Sequence, residues 1–251
     1  MKKIIRLALP AVGAFLAVMA AAQIAAPSAD AILDKVDQNA VPGTKILTAE
    51  MTIHSRRDSR TLRSKSWVQG QEKAFTEYLD PPRERGTKML KLGDQLWTYS
   101  PDTDRTISIS GHMLRQSVMG SDLSYEDMME DRKLRTAYEA KVEGEVTIDG
   151  RACWIIAMTS KTGEAAYASR KSWVDKERFI VLKEERYAKS GKLLKDLVVQ
   201  SVIRIGGRWV GEKVIFRDAL KQGGGTEFKV VSIEFDTAIP EALFSKASLR
   251  K

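Results

Sequence analysis

A hydrolytic or metal-dependent site in this 251-residue chain would have to be assembled from few groups: two histidines, His54 and His112, one cysteine, Cys153, and the acids Glu126, Asp127, Glu130 and Asp131. General-base or zinc chemistry needs such groups at motif spacing, and neither an HExxH pair nor a GxSxG elbow is present. A lone histidine on a strand or loop is ordinarily structural. "SGKLL" lacks the upstream glycine of a phosphate loop, and "GGGTEF" reads as turn chemistry between strands. Asp102-Thr103-Asp104 offers two carboxylates to calcium, but beside Pro101 they fit a hairpin turn better. The four clustered acids are explained by their positions: Ser124-x-x-Asp127 is a capping box, and acids in a first helical turn complement the helix dipole. Cys153 lies in the apolar strand pattern "RACWIIAM", which predicts a buried, inert thiol. Being the sole cysteine, it leaves no intramolecular disulfide. No feature of this inventory demands catalysis, a metal or a cofactor.

The elements that position these residues begin with a leader. Lys2, Lys3 and Arg6 form a basic region, an alanine-rich apolar run covers 7–22, and small residues offer cleavage between about 22 and 31, the pattern of a secretory signal peptide over 1–29. Pro10 and the alanine bias disfavour an uncleaved membrane anchor. The expectation is a periplasmic chain, 30–251, the length of a single domain with a sizeable core. Losing Lys2, Lys3 and Arg6 and no acid lowers the net charge from +8 to +5. That charge is dispersed: it suits anionic lipid headgroups as readily as solubility, and no basic block points to nucleic acid.

"DAILDKVDQN" predicts a short helix with Asp30 as its cap and Ile32, Leu33 and Val36 on one face. Beyond "VPG" the period changes to two. "KILTAEMTIHS", "LRSKSWVQG" and "KAFTEYLD" are strand-like, and "TKMLKLGDQLWTYSPDTDRTISIS" reads as three strands. After an interruption come "AKVEGEVTID", the Asp149-Gly150 turn and "RACWIIAMTS", then "ASRKSWVD", "RFIVLKEERYA", "LLKDLVVQSVIRI", "RWVGEKVIFRD" and "TEFKVVSIEFD". "IPEALFSKASL" predicts closing turns that dock Leu243 and Phe244. About a dozen strands at this spacing make an antiparallel meander, and a sheet that long curls or closes, so the expected class is mainly β with a strongly curved sheet. Trp67, Trp97, Trp154, Trp173 and Trp209 fall on five strands; if their faces agree, indole lines the concave side.

The interruption, "HMLRQSVMGSDLSYEDMMED", carries four of the nine methionines. Met113, Leu114, Val118, Met119, Leu123, Tyr125, Met128 and Met129 are more apolar surface than a connection needs, and methionine repacks against changing shapes. Two structures satisfy that pattern: a broken lid over an apolar cavity, or a permanent plug at one end of the sheet.

"YLDPPRERGTKMLKLGDQLWTYSPDTDRTISIS" followed by "SVMGSDLSYEDMM" closely resembles the bacterial outer-membrane lipoprotein-sorting proteins with a LolA-like fold. The resemblance is most specific at Pro82 with Arg85-Gly86-Thr87, at Trp97-Tyr99-Pro101, and at Gly120-Ser121-Asp122-Leu123-Ser124-Tyr125-Glu126-Asp127. Leu123 stands where the family often has phenylalanine. The resemblance implies an unclosed β-barrel, a half-barrel with short helices as a lid over an apolar cavity. It implies a monomeric, non-enzymatic periplasmic carrier of acyl chains of a lipoprotein or other lipid. Such a carrier receives its load from an inner-membrane transporter, beside an exporter of the resistance-nodulation-division type for some relatives, and passes it to an outer-membrane acceptor.

On that reading Met113, Leu114, Val118, Met119, Leu123, Tyr125 and Met128 form the lipid-binding lid, Trp67, Trp97, Trp154 and Trp173 line the cavity, and Arg85 with Asp122 latches the lid. Each buried methylene contributes roughly 0.8 kcal/mol, so one long acyl chain gains on the order of 10 kcal/mol when shielded from water. The alternative within the same fold is an envelope-stress sensor or regulatory lipid-binding module. A lipid hydrolase in the same cavity is disfavoured by the scarce histidines and the missing elbow.

Overall fold

The structure is a computed structural model that describes residues 27–40, 43–129, 134–162 and 165–251. Residues 1–26 of the expected leader lie outside the described residues, as do Glu130 and Asp131. Helix α1 (Ala29–Ala40) buries Ile32, Leu33 and Val36, the face that their spacing predicts. Its cap is Ser28, whose Oγ accepts from the Ala31 N–H at 3.2 Å. The helix starts at Ala29, so Asp30 falls inside its first turn rather than at the cap.

Thirteen strands follow among the described residues: β1 (Thr44–His54), β2 (Ser59–Gln69), β3 (Lys73–Asp80), β4 (Lys88–Leu92), β5 (Gln95–Ser100), β6 (Arg105–Ile109), β7 (Tyr138–Ile148), β8 (Arg151–Ser160), β9 (Ser169–Asp175), β10 (Val181–Tyr187), β11 (Leu193–Ile205), β12 (Arg208–Asp218) and β13 (Gly225–Phe235). They form one curved, unclosed antiparallel sheet in the order β6-β5-β4-β3-β2-β1-β13-β12-β11-β10-β9-β8-β7. Neighbours in the sheet are neighbours in sequence except where β1 pairs with β13. That one long-range pairing leaves β6 and β7, consecutive in the chain, at opposite edges.

Turn chemistry sets the register at two places. Asp149 and Gly150 both have positive φ, 47° and 76°, as a two-residue hairpin between right-twisting strands requires. At the β12–β13 turn the Gly224 N–H donates to the His54 carbonyl at 2.9 Å. A Cβ on Gly223 would stand 2.4 Å from that same oxygen, so only glycine lets the turn lie flush on the end of β1.

Because side chains alternate across a strand, cross-strand partners define two faces. One face carries Trp154, Ile156, Met158 and Val174 under α1, and farther along Met51, Ile53, Leu62, Tyr78, Met89, Leu96 and Ile109 under the segment that joins β6 to β7. We call this the inner face. The outer face carries the row Trp67, Phe75, Leu90 and Trp97, each the registered partner of the next. Phe244 and Leu249 of the closing 3₁₀ turns, Glu241–Leu243 and Lys246–Arg250, cover that row.

Candidate functional site

The β6-to-β7 connection crosses the inner face from one edge of the sheet to the other. It contains 3₁₀ turns at Gly111–Arg115 and Val118–Gly120, then α2 (Tyr125–Met129) and α3 (Leu134–Ala137). Residues 116–125 fold back on themselves: Val118 N–H donates to the Leu123 carbonyl at 2.9 Å, and Tyr125 N–H to the Gln116 carbonyl at 3.1 Å. The reversal is made by two successive left-handed residues, Met119 (φ 50°) and Gly120 (φ 73°). Glycine adopts that conformation freely, whereas a methionine held there stores about 1 kcal/mol or more. Ser124 and Asp127 form the expected capping box, with Asp127 Oδ2 accepting from Ser124 N–H at 2.7 Å and Ser124 Oγ accepting from Asp127 N–H at 3.2 Å.

Val118 is buried within the Met51–Ile109 cluster, and Met113, Leu114, Met119, Tyr125 and Met129 pack against it. Leu123 is half-buried. Met128 is turned outward, 37% exposed. The first half of the segment thus completes the core of β1–β6 while α2 reaches toward the centre of the sheet.

Polar anchors hold the segment on four sides. Asp122 Oδ2 accepts from the Thr226 hydroxyl at 2.6 Å, Asp122 Oδ1 from the Asp218 N–H at 3.1 Å, and Asp122 N–H donates to Thr226 Oγ1 at 2.9 Å. Lys195 donates to the Asp122 carbonyl at 2.8 Å and to Asp127 Oδ2 at 2.6 Å. Arg186 donates to Asp127 Oδ1 at 2.8 Å, joined there by the Tyr167 hydroxyl. Arg60 donates to the Met119 carbonyl, Lys221 to the Ser121 carbonyl and Ser117 Oγ, and Lys91 to the Met129 carbonyl.

Beneath α2 these anchors merge into a buried ionic network. Arg186 also donates to Glu184 Oε1 at 2.7 Å, Arg170 to Glu184 Oε1 at 3.2 Å and Ser172 to Glu184 Oε2 at 3.0 Å. Burial works against a charge on Asp127, yet Arg186 and Lys195 hold its carboxyl well below the usual carboxylate range. Glu184, likewise disfavoured by burial, is held down by Arg186 and Arg170. Burial pushes the Arg170 guanidinium down to about 10, against the pull of Glu184. Both Asp127 oxygens are thus acceptors, one of Arg186 and the other of Lys195 and the Ser124 N–H.

Between the α1 core and the β1–β6 core lies a different surface. On the inner face Leu197 pairs with Phe216, and Val199 with Val214, Val214 with Phe228 and Phe228 with Met51. The Phe216 and Phe228 rings meet edge to face at 5.5 Å. Yet among the described residues β11, β12 and β13 contribute no fully buried apolar side chain. Their outer face carries ion pairs instead, Arg217–Asp196 at 3.2 Å and Lys213–Glu227 at 3.0 Å. The result is an apolar strip, half open, flanked by two closed cores.

The tryptophans do not share one face. Trp154 looks inward but packs under α1 against Phe179. Trp67 and Trp97 belong to the outer row beneath the closing turns, which corrects their placement in a concave lining. Trp173, registered with Ile155 and Lys183, is also on the outer side, with the Lys183 ammonium 4.3 Å from its ring centroid. Plain alternation puts both outward, Trp67 an odd number of residues from inward Leu62 and Trp173 next to inward Val174, with no register shift in β1–β2 or β8–β9.

Arg85 is not brought to Asp122. It donates to the Leu79 carbonyl at 3.0 Å and pairs with Asp80 at 2.9 Å, fixing the turn after Pro82. The cationic side chains that reach the crossing segment, Arg60, Lys91, Arg186, Lys195 and Lys221, were not singled out by sequence. Lys195 had a signal: a lysine at an inward position of the apolar run "LLKDLVV" must find a buried partner.

A family model described only as an uncharacterized protein matches residues 70–251. No curated protein matches the chain. Among solved structures, a DUF1329 family protein from Desulfovibrio piger superposes with a TM-score of 0.80 at 25% identity, over 88% of this chain and 98% of its own. A domain assigned to outer membrane lipoprotein sorting from Vibrio parahaemolyticus gives 0.75 at 25% identity, over 89% and 100%. A LolA superfamily protein from Nitrosomonas europaea shares the fold, with 0.73 at 23% identity over 89% and 100%. With its half-open curved sheet and the segment that crosses it, the chain has the LolA-like fold and belongs to this family of uncharacterized proteins.

Proposed function

We propose that the protein is a periplasmic carrier that shields acyl chains of a lipoprotein or another lipid between the β11–β13 strip and the crossing segment, taking them from the inner membrane to the outer. The carrying observation is that strip: Leu197, Val199, Val214, Phe216 and Phe228 form a continuous apolar row left half open between two cores. Burying hydrocarbon there returns roughly 0.8 kcal/mol per methylene. Loading and release then need an inner-membrane transporter and an outer-membrane acceptor of comparable apolarity, and no nucleophile or cofactor. The segment acts as lid, with Met113, Leu114, Met119 and Leu123 on its cargo side, and Asp122 as one of its fastenings.

The test is uptake of a fluorescent fatty-acid probe by purified protein. The double variant Met119→Asp with Leu123→Asp is expected to lose uptake while its circular dichroism stays that of the parent. Unchanged binding in a folded variant removes the lid assignment, and a parent protein that binds no probe removes the carrier reading. Solvent extraction of native protein followed by mass spectrometry identifies the cargo.

A further inference from the structure

Three cationic side chains hold backbone carbonyls of the lid at residues 119–122, and they are not equivalent. Lys195 is also neutralised by the Asp127 carboxylate at 2.6 Å. Lys221 has two neutral acceptors, the Ser121 carbonyl and the Ser117 hydroxyl. Arg60 donates to the Met119 carbonyl, and the acid it meets among the described residues, Glu84, stands at 3.5 Å. The other acids nearby are engaged: Asp122 by Thr226 and the Asp218 N–H, and Asp218 by the Leu220 N–H at 2.9 Å. Hydrogen bonds between ionised partners are about twice as strong as those to neutral acceptors. Arg60 and Lys221 would therefore exchange lid carbonyls for the oxygens of a phosphate. The carbonyls that they hold belong to residues two apart, whose Cα atoms lie within about 7 Å, the span of one headgroup.

We propose that Arg60 and Lys221 form a binding site for a phosphate-bearing headgroup, occupied in the closed state by the lid's own carbonyls, so that an anionic lipid opens the lid by taking their place. The site rests on geometry alone; a lipid as its source rests on the carrier reading. Two surroundings favour a bilayer over free phosphate. Leu220, beside Lys221, is the most exposed large apolar residue described, at 62%. Arg56 and Arg57, exposed on the β1–β2 turn near Arg60, add to the positive field. A leucine among bases is how a protein edge meets an anionic membrane surface.

The experiment is amide hydrogen exchange at Ser121, Asp122 and Tyr125, whose N–H groups are all bonded in the closed lid. Vesicles of phosphatidylcholine with phosphatidylglycerol are expected to speed exchange at least about fivefold, within the ordinary range of coupling between sites. Vesicles of phosphatidylcholine alone are expected to leave it unchanged, and the response is expected to fade at high salt. Arg60→Gln with Lys221→Gln should show faster basal exchange and no further response, while Arg60→Lys with Lys221→Arg should retain the response. Inorganic phosphate that reproduces the full effect keeps the site and assigns it to free anion. An equal response to neutral vesicles, or an undiminished response in the glutamine pair, overturns the proposal. Fatty-acid probe binding without vesicles is read separately: its absence beside an intact vesicle response removes the carrier reading and leaves the site.

Discussion

Asp122 and Thr226 hydrogen-bond each other twice: the Asp122 N–H donates to Thr226 Oγ1 at 2.9 Å, and that hydroxyl donates to Asp122 Oδ2 at 2.6 Å. Thr226 is fully buried, 104 residues away in the chain, so this reciprocal pair ties the tip of the crossing segment to the seam where β13 meets β1. Thr226→Val keeps the shape and removes both bonds, leaving the buried Asp122 carboxylate without its hydroxyl donor and the Asp122 N–H without its acceptor. The expected cost is about 1–3 kcal/mol in urea unfolding, with faster amide exchange at Asp122. An unchanged midpoint would show that the tie contributes nothing.

Asp127 fastens the other half. Replacing it with asparagine leaves Arg186 and Lys195 facing a neutral group, and removing one partner of a buried pair typically costs about 3–5 kcal/mol. Denaturant unfolding of Asp127→Asn should show a loss in that range, well beyond that of any surface ion pair.

The same carboxyl fixes a pH window. Its folded-state value is depressed, so the folded protein binds fewer protons at Asp127 than the unfolded chain. Its contribution is whole above the unfolded value of about 3.9 and is lost as pH falls toward the lower folded value. The stability difference between parent and Asp127→Asn should be flat from pH 8 to about 5 and shrink below about 4. A difference that instead disappears between pH 6 and 7 would mean that a different group controls the latch.

The two faces of the sheet should separate stability from binding. Phe228→Ala on the inner strip is expected to weaken fatty-acid probe binding about tenfold, or 1.4 kcal/mol. Trp97→Ala on the outer face should cost about 3–5 kcal/mol of stability and leave probe affinity per folded molecule unchanged. The reverse pattern would put the cargo under the closing turns.

Arg85 and Arg60 offer a matched contrast. Arg85 pairs with Asp80 at an exposed turn, and Arg85→Ala should change stability by less than about 0.5 kcal/mol and leave lid exchange alone. Arg60→Ala should speed exchange at Ser121, because Arg60 is the arginine that donates to the Met119 carbonyl.

Local rules made most of the fold legible. "KAFTEYLD" is β3, Asp149-Gly150 is the β7–β8 turn, the 3.6 period of Ile32, Leu33 and Val36 gives the buried face of α1, and Ser124 with Asp127 is the capping box. What stayed hidden depends on partners distant in the chain. The faces of Trp67, Trp97 and Trp173 turn on which side of each strand meets α1 and the crossing segment, which no tryptophan spacing encodes. The anchoring of Asp122 by Thr226 joins the crossing segment to β13, which reaches β1 through the one long-range strand pairing, and Arg60 meets the Met119 carbonyl 59 residues away across the β2–β6 meander.

Because β6 and β7 are successive strands placed at opposite rims, the peptide running between them is fastened at both ends like a belt across an open gutter. A belt has no hinge and cannot swing clear. It can only slacken and bow outward as its fastenings between Met119 and Asp127 let go. Under the proposed carrier function, hydrocarbon would then slide in lengthwise beneath it, and the order of threading, tail before head or head before tail, would follow from the topology.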